Sequence, residues 1–452
     1  MGAVAVQIPS LWRLGLPLLF NAVLGLFTTL FDALVLSWHS PEAAASVSIA
    51  NQILTPVYDL SLIVGVGAVV LVAKALGQSD PAKARHLSSV AILANTLFGV
   101  LVGGVLWCLA PFLVQMVGTP AALQADTAHY IRLIAWAMPF NACLLAAMAC
   151  LRAFALGRMV MYLGLLAFPG YALLSVILVL GAGPIPSMGV EGSALATVLI
   201  RVLAVVLLFL VLPRKPGLRW PGLQGLVKAR EHVLRMVRIA SPSVLDNVSY
   251  GFYQLLLLGF VAGLGVSAVV SRFYALTLGA FLAVIVVAVS QSNEVIIGHL
   301  SGQGRNADVN RQVWRSGGWS VALATVCGGL LWMATPAVLA LAKADEAVVA
   351  TVQHLMLLTV FIQPLTGLNT VLFHSLRVKG DVMVPVLCSQ VVMWGMAAPL
   401  AWWLSVRLEM GVVGLWYAFL LEEACKTLVM IWRWMVQADD KPAVPALELR
   451  HE

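Results

Sequence analysis

Twelve apolar segments, each long enough to cross a lipid bilayer as a helix, follow one another along this chain of 452 residues. A helix crosses the hydrocarbon core of a bilayer, roughly 30 Å thick, with about 20 apolar residues. Apolar residues make up 61% of the chain and charged residues only 10%, whereas soluble domains carry about 25% charged residues. We therefore predict an all-α integral membrane protein with twelve transmembrane helices. The predicted spans are residues 14–37, 48–72, 88–112, 127–150, 160–181, 190–212, 240–262, 268–297, 316–341, 350–373, 384–406 and 411–436.

Lys and Arg residues are concentrated in the loops that follow every second span, and the opposite loops hold almost none. Such a bias keeps the basic loops on the cytoplasmic side. The largest group lies between Arg214 and Arg238, in the linker after the sixth span. We therefore predict a multi-pass protein of the inner (cytoplasmic) cell membrane with both termini and the linker in the cytoplasm. The basic loops also explain the net charge of +7, so no nucleic-acid partner is expected.

The segments outside the spans carry few signals of their own. Residues 1–11 have no charged n-region and no small-residue cleavage site, which predicts that no signal peptide is removed. The linker residues Trp220, Leu223, Leu226 and Val227 have the spacing of a short amphipathic helix, which is expected to lie at the membrane surface.

The two halves of the sequence repeat each other. A shift of 225 residues superposes Gly103–Pro111 (GGVLWCLAP) on Gly328–Pro336 (GGLLWMATP) and Pro17 on Pro242. One offset that aligns this block indicates a duplication. Six spans per half is an even number, so the two copies insert in the same orientation, with the ligand path expected between them. The predicted parts are an N-lobe (residues 1–212), a cytoplasmic linker (213–239), a C-lobe (240–436) and a cytoplasmic tail (437–452).

Asp32 is the strongest candidate for chemistry, because it is the only charged residue in the first predicted span. A carboxylate inside a membrane helix costs roughly 2.5–3.5 kcal/mol on insertion scales and usually serves a function. Burial disfavours its charged form, so it can take up a proton or Na⁺ and release it when the surroundings become wet. The alternative is a carboxylate tied to a neighbouring Arg for packing. Signatures of metalloproteases and ATPases are missing, so we predict a protein that is not an enzyme.

Other ionisable residues near the spans have two interpretations each. Asp246 is either a second cation site or a helix cap, and Glu294 is either a site residue or a solvated helix end. Glu422 and Lys426, four residues apart, favour a structural ion pair along one helix face. The shift of 225 residues places Arg201 on Lys426, so each half has a basic residue in its last span, suited to anionic substrate groups or lipid headgroups.

Several stretches resemble the multidrug and toxic compound extrusion (MATE) transporters. Ala43–Ile53 and Gly65–Asp80 are similar to the second span of that family and the loop after it. Tyr130–Phe140 and Leu151–Arg158 resemble its fourth span and exit, and Met188–Ile200 resembles the start of its sixth. The resemblance covers nearly the whole chain. It implies two pseudo-symmetric six-helix lobes around a V-shaped cavity, and export driven by the inward flow of H⁺ or Na⁺.

The resemblance also implies roles for individual residues. Asp32 matches the ion-site Asp of the first span, Thr197 matches a site Thr of the first lobe, and Asp381 resembles a second-lobe Asp of sodium-linked members. Two departures leave the coupling ion, H⁺ or Na⁺, open. Tyr171 and Ser175 stand where the fifth span usually carries N-x-x-x-D, and Tyr250, with Asp246 one turn earlier, replaces a Glu of the seventh span.

We expect a cation-coupled antiporter that exports an organic compound, a drug or natural product, by alternating access. Its partners are expected to be a small, amphipathic or weakly cationic substrate and membrane lipid, with no cofactor or bound metal apart from the coupling ion, and the protein to be a monomer. The alternative is a flippase or exporter of a lipid-linked saccharide or another lipid-like substrate. The spans contain few basic residues, which argues against this alternative. The predicted ion-coupling residues are Asp32, Thr197, Asp246 and Asp381. The predicted substrate-cavity residues are Asn51, Asp59, Tyr171, Ser175, Tyr250 and Glu294.

Overall fold

The computed structural model describes residues 10–117, 119–182, 184–211 and 226–439. Within these ranges the chain is almost entirely helical, and its extended pairing is limited to an isolated bridge between Ala182 and Ile185. The helices, numbered by span, are α1 Leu11–His39, α2 Pro41–Gly77, α3 Pro81–Met116, α4 Ala121–Ala153, α5 Gly157–Leu180, α6 Gly189–Val211, α7 Leu226–Ala262, α8 Val266–Gly302, α9 Asn306–Leu341, α10 Glu346–Lys379, α11 Met383–Arg407 and α12 Gly411–Asp439.

Each predicted span coincides with one of these helices, so the all-α, twelve-helix prediction is confirmed. In the part of the chain that the structure describes, 11 helices are long and apolar enough to cross a membrane. The twelfth, α12, has the length but carries Glu422, Glu423 and Lys426 in its middle. The described residues include neither Trp220 and Leu223 of the predicted linker helix nor the tail beyond residue 439. The amphipathic linker helix and the cytoplasmic tail therefore stay predictions.

Short polar turns set the ends of the first helices. Ser40 caps α2 by accepting a hydrogen bond from the backbone N–H of Ala43 at 3.0 Å, and Pro41 occupies the first turn. Asp80 caps α3 in the same way, with Lys83 N–H at 2.9 Å. Proline fits the first turn because its missing N–H is not needed there. Serine–proline and aspartate–proline pairs therefore divide α1, α2 and α3 with connections of very few residues.

Helix α2 is interrupted in its middle by a turn at Ser61 and Leu62, one turn after Pro56. A proline in a helix leaves a carbonyl without its usual partner. The buried side chain of Asn95 bridges this region, because its Nδ2 donates to the carbonyl of Ser61 at 3.0 Å and to that of Ala142 at 2.7 Å. The interruption is thus held by a fixed hydrogen bond from α3.

The described residues divide into two compact units. The first contains the residues up to Phe252 together with Glu294–Arg305, and the second contains Tyr253–Asn293 and the residues from Asn306 onward. Inside the first unit α3 packs on α4 and α4 on α6, and inside the second α9 packs on α10 and α10 on α12. These are the pairings that a repeat of six helices requires. The predicted lobe boundaries, residues 1–212 and 240–436, stay a prediction.

Candidate functional site

Asp32 is buried inside the first unit, with 8% of its surface exposed. Its Oδ1 accepts a hydrogen bond from the Tyr171 phenol at 2.5 Å and another from the Ser193 hydroxyl at 2.9 Å. Hydrogen bonds to an ionised acceptor are shorter and stronger than neutral ones. No ion pair involves Asp32 among the described residues, so its neighbours are hydroxyl groups. The arrangement therefore differs from the Arg-tied carboxylate that was the alternative interpretation.

Three helices supply this site, which we call the Asp32 site: Asp32 on α1, Tyr171 and Ser175 on α5, and Ser193 and Thr197 on α6. Tyr171 is 6% exposed and packs against Ile200, and α1 lies along α5. The Thr197 side chain interacts with the Tyr171 phenol. Ser175 is fully buried, and its Oγ has no hydrogen-bond partner. The predicted residues Asp32, Tyr171 and Thr197 therefore lie together, with Ser175 one turn from Tyr171 on the same helix.

The Asp32 site can hold a negative charge or a single proton. An ionised carboxyl in an apolar region is strongly disfavoured unless donors surround it. Tyr171 and Ser193 supply such donors, and both hydroxyls can rotate to accept a hydrogen bond instead when Asp32 is protonated. The same side chains can thus stabilise both states of the carboxyl, which is what a site for reversible ion binding needs.

The other first-half candidates are not members of this hydrogen-bonded group. Asn51 and Asp59 are partly buried on α2, and no hydrogen bond to Asp32 is recorded for either side chain. Asp59 lies two residues before the turn at Ser61 that interrupts α2, next to Tyr58. Their assignment to the substrate cavity stays a prediction.

Three candidates lie on α7 and α8. Asp246 is partly buried and Tyr250 is 47% exposed, and both belong to the first unit. Glu294 is 4% exposed. The interpretation of Glu294 as a solvated helix end is therefore wrong, because the residue is enclosed by the helices around it. The roles of all three in ion coupling or substrate binding stay predictions.

Asp381 lies in the short connection between α10 and α11, inside the second unit. Its Oδ2 accepts from Arg433 Nε at 2.5 Å and from Gln437 Nε2 at 3.2 Å, both near the end of α12. The carboxylate therefore already has a cation fixed beside it, and it clamps α12 to this connection. This geometry favours a structural role over the predicted role in ion coupling, which stays untested.

A buried polar network in the second unit was not predicted as a site. Lys426 Nζ donates to Glu422 Oε1 at 2.5 Å and lies 3.9 Å from Glu423 Oε1. The Tyr253 phenol donates to the other Glu422 oxygen at 2.8 Å, and Asn369 Nδ2 donates to Glu423 at 3.3 Å. The predicted pairing of Glu422 with Lys426 is confirmed, and the structure adds three further members to it. We call this set the Lys426 network.

The Lys426 network is expected to stabilise the second unit through its charge balance. Lys426→Met leaves Glu422, 2% exposed, and its neighbour Glu423 without a cation. Breaking a buried ion pair from one side costs roughly 3–5 kcal/mol, so we expect a clearly lower unfolding temperature in detergent. Adding Glu422→Gln to Lys426→Met should recover most of the loss. A single variant as stable as the unaltered protein would show that the pair contributes little.

A second set of contacts lies inside the first unit, where α7 and α8 meet α2 and α4. A Cβ added at Gly77 would lie 2.2 Å from the carbonyl oxygen of His299, and one at Gly302 would lie 2.3 Å from that of Lys74. His299 is 1% exposed, and its Nε2 makes a 2.8 Å hydrogen bond with the carbonyl of Ala153. Backbones approach this closely only where side chains are missing. We call Gly77, His299 and Gly302 the glycine contact.

Ser193 and Tyr253 are among the members of these sites that sequence reasoning missed. Ser193 lies one turn before Thr197 on α6, so the four-residue spacing was a usable signal for it. Tyr253 lies in an apolar stretch of α7, and nothing in its surroundings in the sequence distinguishes it from a core aromatic residue. Only the packing of α7 against α12 shows that its hydroxyl meets Glu422.

A protein-family model described as MatE matches the chain twice, over residues 17–178 and 242–403. The matched ranges begin and end 225 residues apart, the same offset as the repeat in the sequence. The chain is 24% identical to "Uncharacterized transporter YisQ" of Bacillus subtilis, over 94% of this chain and 93% of that protein. It is also 24% identical to "Probable multidrug resistance protein NorM" of Rhizobium meliloti, over 96% and 94% of the two chains.

Solved structures share the fold. An outward-facing multidrug resistance MATE family transporter superposes with a TM-score of 0.86 at 16% identity, covering 95% of each chain. A transporter of the MOP superfamily from Pyrococcus furiosus, described by the reverse polarity of its binding pocket, gives 0.85 at 16% identity, again over 95% of each chain. At 16% identity, the structural similarity establishes the fold. The chemistry of the site follows from the residues of this chain.

Proposed function

The chain belongs to the MatE family of membrane transporters, and from that premise we propose that it exports an organic compound across the cell membrane in exchange for protons. Membership in the family establishes a transporter rather than an enzyme. Relatives carry names of multidrug resistance proteins, which supports a drug-like or natural-product substrate. The comparisons do not favour the alternative, a flippase for lipid-linked saccharides.

The Asp32 site is the observation that carries the proposal. Among the described residues, Asp32 has hydroxyl neighbours and no ion-pair partner that would keep it permanently charged. Its protonation would change the direction of the hydrogen bonds to Tyr171 and Ser193, and thereby the contacts of α1 with α5 and α6. A bound proton shifts a conformational equilibrium only if the two states bind it with different affinity. Different wetting of Asp32 in the two states would provide that difference.

A proton fits this site better than Na⁺. Hard cations are bound by several oxygen ligands, with carboxylates prominent among them. The Asp32 site offers one carboxylate, and the described residues contain no group of three His, Cys, Asp or Glu side chains that converge. Both recorded hydroxyls donate to the same oxygen of Asp32. We therefore propose H⁺ as the coupling ion, and Na⁺ is the outcome that the experiment below must exclude.

The glycine contact supports alternating access. It joins the ends of α2 and α4 to the end of α8, on the side that the basic loops assign to the cytoplasm. We propose that this contact closes the cytoplasmic side in one state and opens in the other, with both termini in the cytoplasm. The substrate is proposed to be small and amphipathic, and the transporter to act as a monomer in contact with membrane lipid.

The experiment that tests the proposed function is transport in proteoliposomes with H⁺ and Na⁺ gradients imposed separately. A panel should include aromatic cations, aromatic carboxylates and compounds that carry both groups. We expect substrate movement against the direction of proton flow with an imposed H⁺ gradient, and none with a Na⁺ gradient at equal pH. Transport driven by Na⁺ alone would contradict the proton assignment, and movement without any gradient requirement would contradict the antiport.

A further inference from the structure

Arg201 is a basic residue in the middle of α6. Its guanidinium donates from Nη1 to Asn141 Oδ1 and lies over the ring of Tyr58, with 5.5 Å between its Cζ and the ring centroid. No carboxylate forms an ion pair with it in the described part of the chain. A guanidinium has five N–H donors and is permanently charged. Asn141 and Tyr58 therefore use only a small part of the hydrogen-bonding capacity of the Arg201 guanidinium.

Asn141 adds a second unused donor at the same place. The residue is 5% exposed, and its Oδ1 is occupied by Arg201. Its Nδ2 is buried and has no hydrogen-bond partner. A buried donor without an acceptor is costly and uncommon in folded proteins. Asn141 Nδ2, which has no acceptor, therefore lies beside a guanidinium whose five N–H donors exceed its one bonded acceptor. An anion with two oxygens would satisfy both groups.

In the second half of the chain, the basic residue that corresponds to Arg201 has acidic side chains of the same chain as its partners. The 225-residue offset places Lys426 at the position of Arg201. Lys426 is held by Glu422 and Glu423. The same offset places Thr197 and Val198 at the positions of those two carboxylates.

Asn141 also has a counterpart. The offset places Thr366 at its position, and the Thr366 side chain interacts with Glu423. In the second half, therefore, the polar residue at this position faces a carboxylate. In the first half the duplicated framework of donors is kept, while the acids are replaced by residues without charge.

We propose that Arg201, Asn141 and Tyr58 form a subsite for the carboxylate, or a chemically similar anionic group, of an amphipathic organic substrate. The inference rests on the proposed function, since it names the substrate class of the same transporter. The planar fork of a guanidinium matches the two oxygens of a carboxylate. Two residues of the Asp32 site lie on the same helix as Arg201, Thr197 one turn and Ser193 two turns before it. In this proposal the Asp32 site binds the proton and the Arg201 subsite binds the substrate.

A phosphate of a lipid headgroup shares this chemistry, but the position favours the substrate. Arg201 is the thirteenth residue of the 23 in α6. At 1.5 Å per residue it lies about 18 Å along the helix axis from the start of α6. A headgroup would have to leave the membrane surface to reach it, whereas a transported compound passes through the interior.

The test uses binding, so that it does not depend on coupling. Purified protein in an uncharged detergent is titrated with 2-naphthoate and with 2-naphthamide, its neutral counterpart, and thermal unfolding is followed. We expect saturable stabilisation by naphthoate and at least about tenfold weaker binding of the amide, the scale of one lost charge-assisted hydrogen bond. Arg201→Gln should remove this preference, and Arg201→Lys should keep part of it.

Arg132→Gln is the matched control. Its guanidinium also lies 5.5 Å from an aromatic ring centroid, that of Trp107, but Trp107 is 47% exposed. This variant is expected to keep the preference for naphthoate. Asn141→Leu, which retains the charge of Arg201, should weaken naphthoate binding and provides a second variant if Arg201→Gln does not fold.

Three results would overturn the proposal. The first is equal stabilisation by naphthoate and naphthamide, and the second is a preference for naphthoate that Arg201→Gln retains. The third is stabilisation by phosphatidylglycerol in mixed micelles that depends on Arg201, with none by naphthoate, which would assign the subsite to lipid. Failure of the proposed function can be distinguished from failure of the subsite. If naphthoate selectivity depends on Arg201 but no compound of the panel is transported by a gradient, the subsite is retained and the proton antiport is rejected.

Discussion

Asp32→Asn is expected to abolish proton-driven export in proteoliposomes, to the level of vesicles without protein. Asparagine has nearly the same shape as the acid and can still accept hydrogen bonds from Tyr171 and Ser193 through its side-chain oxygen. It cannot bind or release a proton. The substitution therefore removes the ionisable group at position 32 and keeps the packing of α1 against α5 and α6. Substrate exchange between the two sides at equal concentration should persist, because it needs no coupling.

Tyr171→Phe is the graded comparison for Asp32→Asn. It removes one of the two donors to Asp32 and keeps the carboxyl. Because a hydrogen bond to a charged group contributes roughly 1.5–3 kcal/mol, we expect export to fall by about tenfold or more and remain dependent on the H⁺ gradient. Both variants should be matched for the amount of folded protein in the vesicles. Normal coupled export by Asp32→Asn would remove Asp32 from the mechanism.

The second large effect is expected at the glycine contact. Gly77→Ala places a methyl group 2.2 Å from the carbonyl oxygen of His299 and 2.9 Å from the Cα of Gly302. Both neighbours are backbone atoms, which cannot rotate away. Overpacking costs about 1–3 kcal/mol, and the cost falls only on the packed arrangement. The equilibrium should move about 5- to 150-fold toward the opened arrangement, with a corresponding loss of transport.

Hydrogen exchange followed by mass spectrometry measures this shift directly. Peptides that cover the ends of α2 and α8 around Gly77 and Gly302 should exchange faster in Gly77→Ala, since opening removes their protection. Gly104→Ala on α3 is the matched control, because a Cβ there meets no atom within 4 Å. It should leave exchange and transport unchanged. Unaltered exchange in both variants would show that the contact does not change during the cycle.

The helical framework was predictable because its physical signals are local. Apolar length marked the spans, and the structure adds the helix starts at the Ser40–Pro41 and Asp80–Pro81 pairs. Asp32 could be selected from sequence because a charge in a membrane helix is rare. The duplication could be detected because one offset aligned a whole block of residues, and the family match repeats that offset.

The site chemistry was less accessible because it depends on which side chains meet across helices. Asp381 looks like a site residue in the sequence, and only the fold shows that Arg433 already neutralises it. Glu294 reads as a helix end, and only the packing shows that it is buried. Tyr253 carries no signal in the sequence. Residues whose role depends on a partner far away in the chain cannot be assigned from spacing alone.

The most direct test of the central claim measures protons rather than transport. Purified protein in weakly buffered detergent solution with a pH-sensitive dye is mixed with a substrate identified from the panel. If Asp32 exchanges its proton for substrate, the unaltered protein should release up to about one proton per bound molecule, and Asp32→Asn should bind substrate with no release. Equal proton release from both proteins would contradict the account.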